Sequence, residues 1–389
     1  MKICHITSIH SPFDVRIFHK ECKSLARAGH EIAIIAPADV KEQVVEGIRV
    51  LGISRSARRW QRARIWGELI GKISHLQPDV VHFHDPDLLL LALFVKGCHL
   101  IYDCHERNAV AMLNKPWLPK LLRRPAYQLV SFLEPALARK TAAIILVDDS
   151  QLLTFQKTGK PLIVIKNFPI VPEEIVIPLD YQPKAVVHVG AHARSRGCGV
   201  MIEAFDLVVQ QIPDARLWLV GPFNHPPYQK EVEQLISRRN LQNVAKLVGE
   251  VPYPEALKWV SRAAVGLIAY QAVSQYQECL PTKVLEYMAA GIPVVATDVP
   301  ANRNIIEAAD CGYLVEPAAP QAYAEAIIDL LTHPDKAKQL GLNGRRAVFD
   351  RYDWRMEEKK LLSTYSSIEN GQALVGQPNS SMRPHIVAE

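Results

Sequence analysis

Residues 278–296 read Glu278-Cys-Leu-Pro-Thr-Lys-Val-Leu-Glu286-Tyr-Met-Ala-Ala-Gly-Ile-Pro-Val-Val-Ala296. Pro281 suits the first turn of a helix, where its missing N–H is no loss, and Gly291 suits the residue just past a helix end. Pro293 then opens an apolar β run. A helix handed straight to a strand in this way is one link of a parallel α/β sheet. The helix begins near Thr282 and Lys283, with unpaired N–H groups facing outward. Such an end attracts phosphate, and Lys283 adds a full charge there. Glu278 falls in the preceding loop and Glu286 in the first turns. Carboxylates are poor phosphate ligands but good acceptors for sugar and ribose hydroxyls.

The same alternation runs through the chain twice. In the first half, residues 2–9, 31–36, 79–84, 99–105, 142–147 and 162–166 read as strands, and Ile17–Ala28 as a helix closed by Gly29. A second helix places Trp60, Ile65, Trp66, Leu69, Ile70, Ile73 and Leu76 on one stripe of 3.6-residue period. After a proline-bearing stretch (Pro169, Pro172, Pro178, Pro183), strand readings resume at 185–190, 216–221, 245–249, 266–269, 293–297 and 312–315. The organisation expected is an N-terminal Rossmann-like domain (1–168), a linker (169–183), a second Rossmann-like domain (184–352), a C-terminal helix (353–370) packing back on the first domain, and a disordered tail (371–389). Two doubly wound parallel-sheet domains would face each other across a cleft between the carboxyl ends of their strands, where open α/β sheets bind ligands.

Composition fits. A chain of 389 residues exceeds one ordinary core. It is 49% hydrophobic and 22% charged, as a soluble globular protein is. The seven cysteines are scattered, odd in number and never in C-x-x-C pairs, which argues for a reducing cytoplasm and against a disulfide framework or zinc site. The N-terminus lacks a signal peptide's apolar core. The longest apolar run, Leu88–Val95, has eight residues against the roughly 20 that span a bilayer. Net charge is +5, concentrated in two basic stretches: Arg55, Arg58, Arg59, Arg62 and Arg64, then Lys115, Lys120, Arg123, Arg124, Arg139 and Lys140. No nucleic-acid motif accompanies them. They are read either as solvated faces or as a patch for an anionic membrane surface, since Trp117, Leu121, Leu122, Tyr127 and Phe132 interleave with the second.

Glu278-x7-Glu286 followed by Met288-Ala-Ala-Gly-Ile-Pro-Val-Val-Ala closely resembles the family-4 retaining glycosyltransferases of GT-B fold. The resemblance implies that Glu278 contacts the donor sugar and Glu286 the nucleotide ribose. It departs at Cys279-Leu-Pro-Thr-Lys283, where many members are glycine-rich. Val187-His-Val-Gly190, with Arg196-Gly197-Cys-Gly199 and Ile202-Glu-Ala-Phe205, is similar to the family's second donor element. Arg196 takes its lysine position, and Ala191 stands where an arginine is usual, unless Arg194 supplies that contact. Catalysis would then rest on Arg196, Lys283, Glu278 and His105, and donor binding on Gly190, Arg194, Gly197, Thr282 and Glu286.

The N-terminal half carries His82-Phe-His84-Asp85-Pro-Asp87 and Asp103-Cys-His105-Glu106, both at strand ends. In the family, the second histidine segment approaches the donor sugar and leaving phosphate, the role assigned to His105. His84 and Asp85 would line the acceptor side, and His82, taken to alternate away from His84, is read as core. Asp14-Val-Arg16-Ile-x-x-Lys20-Glu21 resembles a polysaccharide-synthesis subgroup. Arg16 would hold a phosphate near Asp14, while Lys20 and Glu21 pair on the helix.

Asp85-x-Asp87 lies in the wrong domain for a donor-phosphate metal, and His82-x-His84 has no third ligand at metal spacing, so no metal is expected. The partners implied are a UDP- or GDP-sugar and a glycan or lipid-linked acceptor in surface polysaccharide synthesis, with the enzyme cytoplasmic or peripheral on the inner membrane face. A nucleotide-sugar epimerase and a degenerate partner subunit are the alternatives.

Overall fold

The computed structural model describes residues 1–54, 62–115, 118–175, 178–271, 280–374 and 376. Glu278, Cys279, Trp60, Trp117, Arg55, Arg58, Arg59 and nearly all of the expected tail lie outside them, as do the side chains of Arg62 and Arg64. The chain forms two compact units, Met1–Asn167 with Arg355–Glu389, and Phe168–Trp354.

The first unit contains strands β1 (Lys2–Ile6), β2 (Glu31–Pro37), β3 (Glu42–Val45), β4 (Ile48–Ile53), β5 (Val80–Phe83), β6 (His99–Cys104), β7 (Ala143–Leu146) and β8 (Leu162–Val164). They make one sheet in the order β3-β4-β2-β1-β5-β6-β7-β8. All pairs are parallel except the β3–β4 hairpin, whose Glu46-Gly47 turn takes positive φ at both residues (52° and 81°), as a two-residue hairpin turn requires. Strands such as Ile32-Ala-Ile-Ile-Ala36 are apolar along their whole length because helices cover both faces.

The second unit holds β9 (Ala185–Val189), β10 (Arg216–Val220), β11 (Ala245–Gly249), β12 (Val265–Ile268), β13 (Val294–Thr297) and β14 (Gly312–Val315), all parallel, in the order β11-β10-β9-β12-β13-β14. That is the doubly wound order 3-2-1-4-5-6, with its reversal between β9 and β12; the first unit reverses likewise between β1 and β5. Ligands of such sheets bind beyond the strand ends at these reversals.

One face of the first sheet is unusual. β1 and β5 pair with His5 opposite His82, and β5 and β6 pair with His82 opposite Ile101. His84 and Asp103 follow two residues on, so His5, His82, His84 and Asp103 project to one side. They meet the first helix, π-helical over Val15–Cys22 and α-helical over Lys23–Arg27, and the last helix, Trp354–Glu369. The last helix is fastened to the unit by His82 Nδ1–Tyr365 Oη (2.8 Å), by the Lys166 N–H on Glu357 Oε2 (2.9 Å) and by Arg27–Glu358 (2.7 Å).

Candidate active site

In the second unit, β9 ends and the chain turns through Gly190 at φ 136° and Gly197 at φ 73° before the helix Cys198–Gln211. A Cβ on Gly197 would lie 1.8 Å from the Ala269 carbonyl oxygen, so only glycine lets this loop cross the end of β12 at the sheet's reversal. A Cβ on Gly190 would sit 3.3 Å from Arg196 Nη1 and 3.4 Å from Lys283 Cε. Two cations thus converge over a bare backbone. Arg196 is steadied by donating Nη1 to the Ala191 carbonyl at 2.9 Å, and Lys283 by its bond to Glu286 Oε2 at 2.9 Å. The helix Thr282–Ala290 starts beside them and ends on Gly291 at φ 76°. The Thr282 N–H is taken by the Leu280 carbonyl, so donors for an anion would come from the residues that follow.

Two donor residues are placed differently from expectation. The Arg194 guanidinium pairs with Glu231 and lies 4.9 Å from the centre of the Tyr228 ring. It therefore does not fill the gap left by Ala191. Glu286, expected on the ribose, is buried and occupied by Lys283, so a ligand must compete for its carboxylate or bind both groups together.

In the first unit, most of the expected acceptor-side residues are held by protein. Arg16 is 3% exposed. Its Nε meets Asp103 Oδ2 and Glu21 Oε1 at 2.9 Å each, Nη2 reaches Asp103 Oδ1 at 3.2 Å, and Nη1 donates to the Ile165 carbonyl at 2.9 Å. In place of the expected phosphate contact, its charge is neutralised in the interior. Glu21 pairs with Arg16, not with Lys20, which donates to Asn167 Oδ1 at 2.6 Å. Asp14 caps the first helix, Oδ1 accepting the N–H groups of Arg16 (2.8 Å) and Ile17 (3.1 Å). Asp85 is buried and accepts the Thr7 hydroxyl at 2.7 Å and the Ser8 N–H at 2.6 Å, so it fixes the loop after β1 rather than lining an open face.

The histidines form a chain. His105 Nε2 stands 3.1 Å from His84 Nδ1, and His84 Nε2 stands 2.9 Å from His5 Nδ1. His84 is buried, whereas the His105 side chain keeps 13% of its surface exposed. The expectation that His82 turns away from His84 is corrected: residues two apart on a strand share a face, and the two rings stack with centroids 4.6 Å apart. Burial pushes the His82 pKa down to about 3. The Arg16 guanidinium holds the Asp103 carboxyl well below the usual carboxylate range against the opposing effect of burial, whereas burial pushes Glu21 well above it.

The expectation that His82 and His84 lack a third ligating group nearby also fails. Ligating atoms of His5, Glu21, His82 and His84 lie within 4.8 Å of one another, as do those of His84, Asp103 and His105. Neither group is inviting to a cation, because Arg16 already occupies Asp103 and Glu21 at 2.9 Å and a second cation beside it would be repelled. His5, Glu21 and Asp103 reach this cluster from distant parts of the chain; Glu21 and Asp103 stand in the motifs quoted above, but neither motif shows that they meet. Glu134, visible in sequence only as the one acid of a basic run, is 5% exposed and accepts from Tyr102 Oη (2.6 Å) and Asn108 Nδ2 (2.8 Å). It borders a cavity of about 290 Å³ beyond β6, with Arg107, Tyr127 and Ser131.

Comparison with known proteins bears on both halves. Residues 15–168 match the model of Glycosyltransferase Family 4, and residues 171–347 that of Glycosyl transferases group 1. The phosphatidyl-myo-inositol mannosyltransferase of Mycobacterium tuberculosis is 24% identical over 365 residues, covering 89% of this chain and 91% of that protein. The spore coat protein SA of Bacillus subtilis is 27% identical over 185 residues; that match spans 47% of this chain and about half (48%) of the relative. Anabaena Alr3699/HepE, solved in complex with UDP-glucose, superposes with a TM-score of 0.70 at 18% identity, covering 94% of this chain and 100% of that one, a likeness of fold.

Proposed function

Because the chain belongs to the family-4 glycosyltransferases of GT-B fold, we propose that it is a retaining enzyme that moves a hexosyl group from a UDP- or GDP-sugar to a glycan or lipid-linked acceptor in surface polysaccharide synthesis. The observation that carries this reading is the meeting of Arg196 and Lys283 over Gly190 at the reversal of the second sheet. In the reaction, the bond between the anomeric carbon and the diphosphate oxygen breaks, and a bond to the acceptor oxygen forms on the same face. The acceptor's proton goes to the departing phosphate oxygen, so no separate base is needed. Negative charge grows on the leaving group, where the two cations stabilise it; removing one such preorganised group typically costs about 3–4 kcal/mol of barrier. These cations and the helix N-terminus supply the charge that a metal supplies elsewhere, so the donor step is proposed to be metal-independent. The mycobacterial relative is named for transfer to phosphatidyl-myo-inositol, and the Anabaena protein of like fold holds UDP-glucose, which supports donor and acceptor classes of this kind.

A peripheral membrane position is part of the proposal. On the helix Lys120–Ala138, Leu121 is 91%, Phe132 71% and Leu129 58% exposed, beside Lys120, Arg123 and Arg124. Among the described residues no helix is long and apolar enough to cross a membrane.

The test is nucleotide release and transfer with a panel of UDP- and GDP-sugars in the presence of EDTA. Arg196→Ala and Lys283→Ala should each lower turnover about 100-fold with the fold intact. Wild-type rates in both variants would remove the reading.

A further inference from the structure

We propose that Asp103, held by Arg16 and Glu21, fixes His105 with its proton on Nε2, so that the ring offers a bare Nδ1 to a substrate hydroxyl and not a donor to the leaving phosphate. That His105 meets the substrate rests on the reading above; the protonation pattern does not.

Among the described residues, Arg16 and His105 bring nitrogen atoms within hydrogen-bonding distance of Asp103, and the Glu21 carboxyl stands beside it. Arg16 takes both carboxylate oxygens, and Glu21 Oε1 meets the same Nε at 2.9 Å. Asp103 is wholly buried and ionised beside the guanidinium. Its Oδ2 stands 3.2 Å from His105 Nε2. An anionic oxygen at that distance from a bare ring nitrogen would set two lone pairs against each other in a dry interior, so a proton lies between them.

The rest of the chain then has one polarity, because a neutral imidazole has one donor and one acceptor nitrogen. His105 Nε2–H is shared with His84 Nδ1 at 3.1 Å, which accepts. His84 therefore carries its proton on Nε2 and donates to His5 Nδ1 at 2.9 Å. His5 Nε2–H ends the chain, buried and without a partner among the described residues. The reverse polarity would leave His5 Nε2 equally without a partner, as an acceptor, and would turn a bare His105 nitrogen onto the carboxylate.

His105 Nδ1, by contrast, makes no hydrogen bond among the described residues, and its ring is the one of the three that reaches the surface. A bare nitrogen accepts from O–H and repels phosphate oxygen. Asp103 and Arg16 are thus positioning residues, and His105 reads a hydroxyl of donor or acceptor sugar. This replaces the phosphate role expected for it from sequence.

The decisive measurement is a long-range proton–nitrogen correlation spectrum of the full chain labelled with ¹⁵N-histidine, in which the His105 signals are those missing from His105→Gln. Wild type should show a proton-bearing Nε2 and a bare Nδ1; a neutral ring with its proton on Nδ1, or an even mixture, overturns the proposal. Asp103→Asn should move His105 toward the other tautomer. It should also slow nucleotide release from UDP-glucose or GDP-mannose, whichever is the donor, by about 100-fold, since a mis-set histidine tautomer costs up to about 10⁴-fold elsewhere. Its UDP affinity by calorimetry should change less than threefold. An unchanged rate in a variant with altered tautomer refutes the positioning role. If Asp103→Asn does not fold, the wild-type spectrum still decides the tautomer. The expected spectrum together with no turnover of any donor, or no UDP binding, would sink the glycosyltransfer reading and not this one.

Discussion

Replacing Arg16 with methionine separates a surface phosphate ligand from an interior strut. As a phosphate ligand, Arg16 should be dispensable for folding, and its loss should cost only anion affinity. The structure says otherwise: the guanidinium is 3% exposed and serves Asp103, Glu21 and the Ile165 carbonyl. Methionine keeps much of the volume but strands Asp103 as a buried carboxylate, and removing one partner of a buried ion pair costs about 3–5 kcal/mol. For a unit of this size each kcal/mol moves the melting temperature by about 2–4 °C, so the endotherm of the first unit should fall by on the order of 10 °C. Differential scanning calorimetry in low and high salt is the assay, because a buried pair should be nearly insensitive to screening. Arg16→Met with Asp103→Asn should recover part of the loss, since replacing both partners of a buried pair is often close to neutral. A single variant melting within about 2 °C of wild type, with weakened phosphate or UDP binding, would refute the buried-strut reasoning.

Four further outcomes follow from the geometry. Burial would raise the Asp14 carboxyl, but His10 and the Ile17 N–H bring it from 3.8 to about 2, so Asp14→Ala should cost about 2 kcal/mol at neutral pH, and the gap to wild type should close as pH falls from about 4 to 2 in urea titrations. His10 is half-buried, which lowers its pKa, yet Asp14 and Asp85 carry it above 6.5. Its contribution is therefore full below 6.5 and lost as pH rises through the higher value, and a His10→Gln/Asp14→Asn cycle should show stronger coupling at pH 6 than at pH 8. Gly190→Ala should cost about 1–3 kcal/mol for its φ of 136° and weaken UDP binding in calorimetry by displacing Arg196 and Lys283, whereas unchanged affinity would argue that these cations do not face the nucleotide. Arg123→Glu/Arg124→Glu/Phe132→Ser should lose co-sedimentation with anionic vesicles at low salt, and a wild-type protein that stays in the supernatant would point to a soluble acceptor.

Much of this architecture is legible along the chain because parallel strands leave local marks. Residues 245–249 and 312–315 read as strands from apolar runs and turn residues, and both occur. The hairpin β3–β4 leaves no such mark, because β3 is short, half polar and at an edge, and its turn is Glu46-Gly47 rather than a stronger pair. The meeting of Gly190, Arg196 and Lys283 was readable because each stands in a compact phrase. The polar layer of the first unit was not. It joins residues 5, 16, 21, 82, 84, 103 and 365, and no segment shows that an arginine is spent on an aspartate 87 residues away. His82 differs from its expected place for a simpler reason: two residues from His84, it shares that residue's face of the sheet.

The last helix gives the chain an order of completion. Tyr365, Glu357 and Glu358 cap the face of the first sheet that holds His82, the first helix and the end of β8. They are synthesised after every residue of the second unit, at roughly 5–20 residues per second. The second unit is one uninterrupted run, Phe168–Trp354, and can close while the ribosome is still at work. The first unit, though begun earlier, must wait with its charged layer uncovered until this helix has been made. A stalled or shortened nascent chain would therefore carry a finished second unit beside an unfinished first one, and quality control would find its exposed surface in the unit that was begun first.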